Sequence, residues 1–540
     1  MPDMIPERTV VVKPGQSFLG KTGENLIIVT PSPRCVVDSH SHIENGACAP
    51  LPLLWDKLPL QSHIERKWID RLAKVVKSST GHLQVKSTTE IGNCAVAAID
   101  ETFGLKSIIG QSDLYKDSDL FTFLVIQMMD MEYAGLMGYS GQTFYHEDES
   151  PWYYYERQSG REPENKGKKI LLPGENQKTF SKWESQLNET IGAMKLNPLR
   201  LIGMYHYDPR RWNFGMTAAF DRKKLTGPWN HPFNEIATKT NQGLFVGFKV
   251  YPSLGYKPLD ERLPYLHDRL KDGDCLYARC EREEIPILSH CSPGGMTTHE
   301  LPFYMEFNSL KPTFSAQSQI PVSSVFPADA TNQAKNDDTP GKAAAWFYEN
   351  HVHPRAWRKV LQLFPKLKLC LAHFGGELFP LGTSSEWVKE IIDLTREYPN
   401  VYTDFSCWDL GKSKDTFATL LADEQNKHLK DKVLFGTDWY MTLVALGGKS
   451  YRKFVEEFWS FFNEIPDGNN LWTRFTFLNP FEFYGFNDEV RTNNLHQALK
   501  DSLKNATAEN AKCDKNYKQF CRMQNEFKKQ REKLPKQEGV

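Results

Sequence analysis

Two histidines stand one residue apart where a hydrophobic run ends. The stretch is VVDSHSHIENG, residues 36–46, and it contains His40 and His42. Residues two apart on a β-strand point to the same face, so both imidazoles would project side by side. Two such imidazoles can bind one metal ion, and imidazole suits zinc, iron, copper or nickel. The alternative is a pair of solvated loop histidines, and the rest of the chain must decide between them.

Other residues with ligand or acid–base chemistry stand at the ends of later hydrophobic runs. Lys249 lies at the end of the fourth run, and His290, His373 and Asp438 follow the fifth, sixth and eighth. In a parallel barrel these positions converge, because active-site groups come from the C-terminal ends of different strands. Four histidines and one aspartate from four strand ends therefore predict a metal site, with Lys249 beside it.

The chain contains eight short hydrophobic runs, and each of these candidate residues lies in or directly after one of them. Near-continuous apolar strands of this length are typical of a parallel sheet that is buried on both faces. Helical patterns lie between the runs, for example HPRAWRKVLQLFP before the sixth. Strands that alternate with helices predict an α/β fold, and eight of them favour a distorted (β/α)8 TIM barrel. The runs cover residues 35–42, 120–132, 199–211, 244–252, 285–295, 367–377, 400–408 and 432–441.

Long insertions interrupt this alternation after the second and the fifth strand, at roughly 133–196 and roughly 292–350. On a barrel both would lie on the catalytic face, where βα loops build sites and lids. Beyond Phe486 the chain becomes polar and lysine-rich, which predicts one or two surface helices. We therefore divide the chain into an N-terminal extension (1–32), the barrel (33–486) and a lysine-rich helical tail (487–540).

Composition narrows the classes of function. The chain has 540 residues, 40% of them hydrophobic, and a formal net charge of -1. This balance predicts no bulk attraction to nucleic acid or membrane, and no apolar run reaches the length of a membrane helix. The ten cysteines form no CxxC pair, and the N-terminus lacks an apolar secretory core. We expect a cytoplasmic protein with reduced thiols that acts on a small molecule, and self-association into a homo-oligomer stays open.

The hydrophobic runs and the residues that follow them resemble a known family. The stretches VDSHSH, DPRR, GFKVYP, ILSHCSPGG, LKLCLAHFGGE, NVYTDFS, VLFGTDW and FLNPFEFYGF occur in this order between residues 33 and 486. In this combination the chain resembles the amidohydrolase superfamily, and within it the amidohydrolase-related branch that includes aminocarboxymuconate-semialdehyde decarboxylase. The insertions and both termini lie outside the resemblance. The resemblance implies a distorted (β/α)8 barrel with a hydrolytic or decarboxylating metal centre.

The resemblance also implies a role for each residue of the constellation. His40, His42, His290 and Asp438 would hold one divalent ion. His373 would be the neighbouring general acid/base, or a ligand of a second ion, which is the less favoured alternative. Zinc is the preferred metal because three imidazoles and a carboxylate suit it, with manganese or iron as alternatives.

Three basic residues keep alternative roles. In binuclear members of the superfamily a strand-four lysine is carboxylated and bridges two metals, whereas in the related branch the same lysine accompanies a centre that is usually mononuclear. Lys249 could therefore bridge two ions, bind a substrate anion or face an internal carboxylate. Arg210 and Arg211 could clamp a substrate carboxylate bidentately, or could pair with Asp208 and nearby acids.

Two catalytic functions fit this constellation. The first is a metal-dependent hydrolase that uses a metal-activated water on an amide, ester or lactone carbonyl. In it Asp438 would be ligand and proton acceptor, and His373 the second catalytic residue. The second is a metal-dependent non-oxidative decarboxylase on the same barrel, which needs a cationic group for the substrate carboxylate. A non-catalytic scaffold would be favoured by a missing ligand, and none is missing.

Overall fold

Eight parallel strands in chain order form the central sheet of the computed structural model. Strands β1 to β8 are Arg34–Ser41, Leu120–Gln127, Leu201–His206, Phe245–Val250, Ile287–Ser289, Leu369–Leu371, Val401–Asp404 and Val433–Leu434. A separate parallel ladder joins Val10–Val11 to Ile28–Val29. The structure describes residues 10–11, 28–29, 34–43, 87–104, 106–112, 114–115, 120–129, 177–209, 231–254, 256–259, 266–267, 275–292, 351–376, 384–408, 410–439, 450–504 and 506–533.

Helices connect successive strands and continue after the last one. Helices α1 to α7 follow β1 to β7 in turn, and α8 to α12 come after β8. Helices α1 to α12 are Thr88–Phe103, Gln177–Leu196, His231–Asn234, Leu276–Arg282, Arg355–Leu363, Ser384–Glu397, Leu410–Ala422, Tyr451–Glu464, Gly468–Thr473, Asn479–Phe483, Glu489–Leu503 and Thr507–Lys533. Short 3-10 segments cover Pro252–Leu254, Ala372–Gly375 and Glu424–Asp431, and a π-helical turn covers Arg474–Leu478.

The predicted strand order and fold class are confirmed, since each of the eight hydrophobic runs contains one strand of the sheet. The C-terminal helical extension is confirmed as well. Apart from helix α2, the predicted insertions at 133–196 and 292–350 lie almost entirely outside the described residues. The division into three domains stays a prediction. Among the described helices, none combines the length and the apolar character that a membrane crossing requires.

Backbone hydrogen bonds between the ends of β1 and β8 close the sheet into a barrel. Ser39 donates its N–H to Phe435 O at 2.8 Å, and Asp438 donates its N–H to His40 O at 2.7 Å. We call these contacts between the two strand ends the seam. These bonds give partners to backbone groups at the ends of both outer strands, which would otherwise be exposed at sheet edges.

Apolar side chains of the strands are buried on both faces of the sheet. Val37 and Phe123 belong to a cluster that fills the barrel interior. Val36 and Leu124, their neighbours in sequence, pack in a second cluster with the surrounding helices. Alternation between two buried faces explains why the strands are apolar at consecutive positions.

The two C-terminal helices contribute to the interior cluster rather than only covering the surface. Phe520 of α12 stacks on Phe481 with ring centroids 5.5 Å apart, and its ring lies 5.5 Å from that of Phe123 in β2. Phe527, about two turns further along the same face of this helix, also stacks on Phe481. The polar, lysine-rich composition of this segment therefore describes only its outer face, while its aromatic residues seal the N-terminal end of the barrel.

Replacing Phe520 by Ala should lower the free energy of unfolding by about 3–5 kcal/mol, because the cavity it leaves is surrounded by aromatic rings that cannot collapse into it. The measurement is denaturant unfolding followed by circular dichroism. Lys518→Ala is the matched control, since Lys518 is exposed on the same helix and should change stability by at most about 0.5 kcal/mol. Equal effects of the two substitutions would contradict the packing described here.

Candidate metal centre

A β-bulge turns His40 and His42 into the barrel. Val37 faces the interior, so strict alternation along β1 would point both histidines outward. The pairing of β1 with β2 changes register between Asp38 and Ser41, where three steps on β1 match two on β2. One extra residue exchanges the two faces of a strand, and bulges of this kind are frequent beside active sites.

His40, His42 and Asp438 bring their ligand atoms together at the seam. Asp438 Oδ1 lies 3.1 Å from His42 Nε2 and 3.6 Å from His40 Nε2. All three side chains are buried, and the three ligand atoms lie within 4.8 Å of one another. Ligands that share a tetrahedral ion at bond lengths of about 2.0–2.1 Å are separated by about 3.3 Å. We call these residues the ligand trio.

Asp438 is strained and incompletely satisfied. Among the described residues, neither imidazole contact of its Oδ1 meets the geometry of a hydrogen bond, although the atom is buried. Leaving such an acceptor unsatisfied costs about 1–3 kcal/mol. The residue also has a left-handed backbone, with φ of 54°, which costs about 1–3 kcal/mol for a side chain with a Cβ. Both features are typical of a residue kept for function, and a cation at Oδ1 would satisfy the unpaired acceptor.

The second ring nitrogen of each trio histidine is held by a neighbouring strand. His42 Nδ1 donates to Gln127 O at 3.2 Å, and His40 Nδ1 lies 3.0 Å from Asp404 Oδ2. Metal-binding histidines characteristically donate their other ring N–H to a backbone carbonyl or a carboxylate. The arrangement leaves both Nε2 atoms facing Asp438.

Burial and charge give His40 and Asp438 the protonation states that a cation needs. Burial and the charge of Lys249 lower the pKa of His40 to about 3, in spite of Asp404 and Asp438, so its imidazole is neutral at pH 7. Burial alone would raise the pKa of Asp438, but the contact with His42 and the surrounding imidazoles hold that pKa well below its usual range. Metal ligands must be neutral imidazoles and ionised carboxylates, and His40 and Asp438 meet this requirement.

His290 and His373 extend the row of imidazoles away from the trio. The ring centroids of His373 and His40 are 4.9 Å apart, and His290 Nδ1 lies 3.0 Å from His373 Nε2. Because His373 Nδ1 donates to Ser406 O at 3.2 Å, a neutral His373 must accept at Nε2 from the Nδ1–H of His290. That tautomer leaves a lone pair on Nε2 of His290, whose ring is stacked on Tyr251 at 4.3 Å.

The predicted role of His290 as a fourth ligand is consistent with this tautomer but stays a prediction. Within the described part of the chain, the groups whose ligand atoms all lie within 4.8 Å are the trio and a second set of His40, His373 and Asp404, and neither contains His290.

Lys249 projects into the same space. Its Nζ lies 3.2 Å from His40 Nε2, and the side chain is fully buried. The pairing of β3 with β4 changes register between Gly203 and Tyr205, so a second irregularity of the sheet precedes this inward-facing lysine. Arg210 and Arg211 lie outside the described residues, and their predicted roles stay predictions.

Asp38 braces the seam by accepting hydrogen bonds from backbone N–H groups and a hydroxyl. Its carboxylate accepts from Thr437 N at 3.0 Å, from Thr437 Oγ1 at 2.7 Å and from His40 N at 3.2 Å. Burial raises the pKa of this carboxyl to about 6, against the effect of these hydrogen bonds. These contacts tie Asp38 to the end of β1 and to the segment after β8.

Sequence reasoning missed Asp404, which lies at the centre of the polar network. Besides its contact with His40, the carboxylate accepts from His373 N at 2.9 Å and from Ser406 N at 3.0 Å. Ser406 Oγ lies 2.8 Å from His373 Nδ1 and 3.0 Å from His40 Nδ1. A signal was present, because Asp404 follows the apolar residues of NVYTDFS just as the other site residues follow their own runs.

The backbone at His373 is strained as well. His373 and Phe374 have φ of 69° and 45°, in the left-handed region that residues with a Cβ rarely occupy. Trp408 donates its Nε1–H to His373 O at 2.6 Å, while Asp404 accepts the N–H of the same residue. The peptide of His373 is therefore held from both sides, which is what a strained functional residue requires.

Residues 226–459 match the family model described as Amidohydrolase. The matched segment contains strands β4 to β8 and includes Lys249, His290, His373 and Asp438. The match confirms the resemblance to the amidohydrolase superfamily and the expectation of an enzyme of that superfamily. No curated protein sequence matches the chain at a significant level.

Several solved structures are similar to the chain over most of its length. The 5-carboxyvanillate decarboxylase LigW from Sphingomonas paucimobilis is 11% identical, with a TM-score of 0.38, over 84% of this chain and 99% of that chain. The 2,6-dihydroxybenzoate decarboxylase from Rhizobium is 12% identical, with a TM-score of 0.38, over 84% and 99%. The 4-oxalomesaconate hydratase LigJ from Rhodopseudomonas palustris is 14% identical, with a TM-score of 0.35, over 87% and 99%. TM-scores in this range support no conclusion about activity.

Proposed function

We propose that this amidohydrolase-type barrel is a metal-dependent hydrolase that acts on an amide, ester or lactone carbonyl of a small molecule. The observation that carries the proposal is the ligand trio, in which a buried carboxylate oxygen without a hydrogen bond faces the Nε2 atoms of two imidazoles. His290, with its lone pair on Nε2, is the proposed fourth ligand. Three imidazoles and one carboxylate suit zinc best, with manganese or iron as alternatives.

A divalent ion in this site would polarise the substrate carbonyl and lower the pKa of a water molecule from about 15.7 towards 7. Asp438 would hold the ion and accept the proton of the attacking water at its carboxylate. His373 is the proposed proton donor to the leaving group. Its Nδ1 is engaged by Ser406, so it would act through Nε2 after protonation and release of that nitrogen from His290 Nδ1. The barrel supplies a buried, preorganised surrounding in which these charges interact more strongly than in water.

A single ion is preferred over two. The second set of ligand-type atoms contains Asp404, whose Oδ1 already accepts from the backbone N–H groups of His373 and Ser406 and whose Oδ2 faces His40 Nδ1. These contacts are those of a carboxylate that orients other residues. Lys249 presents an amine beside His40, and we assign it to a substrate anion in preference to a bridge between two metals.

One observation favours the second candidate, a non-oxidative decarboxylase. That reaction needs a cation for the substrate carboxylate, and the Nζ of Lys249 lies within 3.2 Å of a trio imidazole. Product analysis separates the two reactions. Release of carbon dioxide would identify the decarboxylase, whereas a new acid together with an alcohol or amine would identify the hydrolase.

The protein as purified should contain about one equivalent of divalent metal, held by four protein ligands. His42→Ala should remove most of it, because an incomplete shell binds the ion weakly. Elemental analysis by mass spectrometry measures both. His496→Ala is the matched control, since His496 lies in the C-terminal tail, 3.1 Å from Asp514, and should leave the metal content unchanged. Active protein without metal would refute the proposed function.

Asp438 and His373 should respond differently to the same chemical change. Asp438→Asn should nearly abolish turnover and weaken metal binding, because an amide is a poor base and a weaker ligand. His373→Asn should keep the metal and lower kcat by about 10²- to 10⁴-fold, the usual contribution of one acid–base group. Metal content and steady-state kinetics are measured on both variants. Loss of metal from His373→Asn in proportion to activity would show that His373 is a ligand.

A further inference from the structure

We propose that Asp404 is a positioning residue that fixes the tautomer of His40 and the backbone of His373 at the same time, and so couples the metal ligands to the acid/base. The inference rests on the proposed metal site. The two carboxylate oxygens of Asp404 are divided between these tasks. Oδ2 faces His40, and Oδ1 faces His373 and Ser406.

The surroundings of His40 dictate one tautomer. Lys249 Nζ lies 3.2 Å from Nε2, and an ammonium group can only donate, so Nε2 must accept. A neutral imidazole carries a single ring proton, which is therefore on Nδ1. Asp404 Oδ2, 3.0 Å away and fully buried, accepts a hydrogen bond from this Nδ1–H group. The lone pair then stays on Nε2, the atom that faces Asp438 in the ligand trio.

The other oxygen of Asp404 holds the strained backbone turn that follows β6. Oδ1 accepts from the backbone N–H of His373, which has φ of 69°, and from Ser406 N and Oγ. Ser406 Oγ in turn lies between His373 Nδ1 and His40 Nδ1. A displacement of this carboxylate would therefore change the hydrogen bonds that orient both imidazoles.

An amide cannot replace the carboxylate in either orientation. If the Asn oxygen keeps the two backbone N–H groups, its NH₂ faces His40 Nδ1, and the Nδ1–H group loses its acceptor. If the amide is turned around, its NH₂ meets the N–H of His373 and of Ser406. The first case removes the interaction that keeps the lone pair on Nε2, and the second releases the backbone of His373. A wrong-tautomer histidine is known to disable catalytic sites whose geometry is otherwise intact.

The test compares full-length wild type with Asp404→Asn after metal removal by chelation. Zinc affinity is measured by isothermal titration with a competing chelator, and the ring tautomers by ¹⁵N-histidine NMR, with His40 assigned as the signal lost in His40→Gln. We expect zinc to bind about 10- to 100-fold more weakly to Asp404→Asn, the usual effect of losing the residue that orients a ligand. We also expect the proton of His40 on Nδ1 in the wild type. In the variant we expect this single tautomer to be lost, because Nδ1 then faces an amide NH₂ while Nε2 still faces the Lys249 ammonium.

Asp431→Asn is the matched control. Asp431 is also a buried aspartate next to a strand, but it pairs with Arg474 at the opposite end of the barrel. Its replacement should lower the melting temperature without changing zinc affinity or the His40 tautomer. A general loss of stability is thereby separated from loss of positioning.

Each outcome bears on the proposal. Zinc affinity equal to that of the wild type in folded Asp404→Asn would overturn it, and so would a fall in stoichiometry from two ions to one, which would make Asp404 a ligand. If the variant does not fold, a wild-type His40 proton on Nε2 overturns the proposal and one on Nδ1 supports it. Failure of the wild type itself to bind a divalent metal would refute the proposed function instead.

Discussion

The closure of the barrel between β1 and β8 is the constraint on which the site depends. β1 carries His40 and His42, and β8 leads into Asp438, so the hydrogen bonds that close the sheet also bring these ligands together. The fit is close, because a Cβ added to Gly436 would lie 2.7 Å from His40 Cβ. The segments that close the barrel are therefore the same ones that carry the ligand trio. A metal that binds only to the closed barrel would stabilise the folded state.

Most of the buried carboxylates at the C-terminal end of the barrel have hydrogen-bond partners. Buried carboxylates are costly unless they are paired or hydrogen-bonded. Asp38 meets that requirement through Thr437, and Asp404 through His40 and two backbone N–H groups. Asp438 Oδ1 is the exception within the described residues of the site. The proposed divalent cation would be the partner that this oxygen and the neighbouring Nε2 atoms share.

The hydrophobic runs predicted the strands well because both faces of a parallel sheet are buried, and the residues that follow the runs predicted most of the site. The sequence could not show that His40 faces the interior, since alternation from Val37 points it outward and only the bulge before Ser41 reverses it. The tail was similarly hard to interpret, because the average polarity of α12 conceals the inner row that contains Phe520. Asp404 was missed because its two histidine partners are 31 and 364 residues away in sequence.

The central claim is that His40, His42 and Asp438 hold a catalytic divalent ion at the seam. The most direct test is a crystal structure of the protein as purified, with anomalous diffraction data on both sides of the zinc absorption edge. The account predicts one anomalous peak within about 2.0–2.2 Å of His40 Nε2, His42 Nε2 and an Asp438 oxygen, with His290 completing the shell. A map without a peak at these atoms, in crystals of active enzyme, would contradict it.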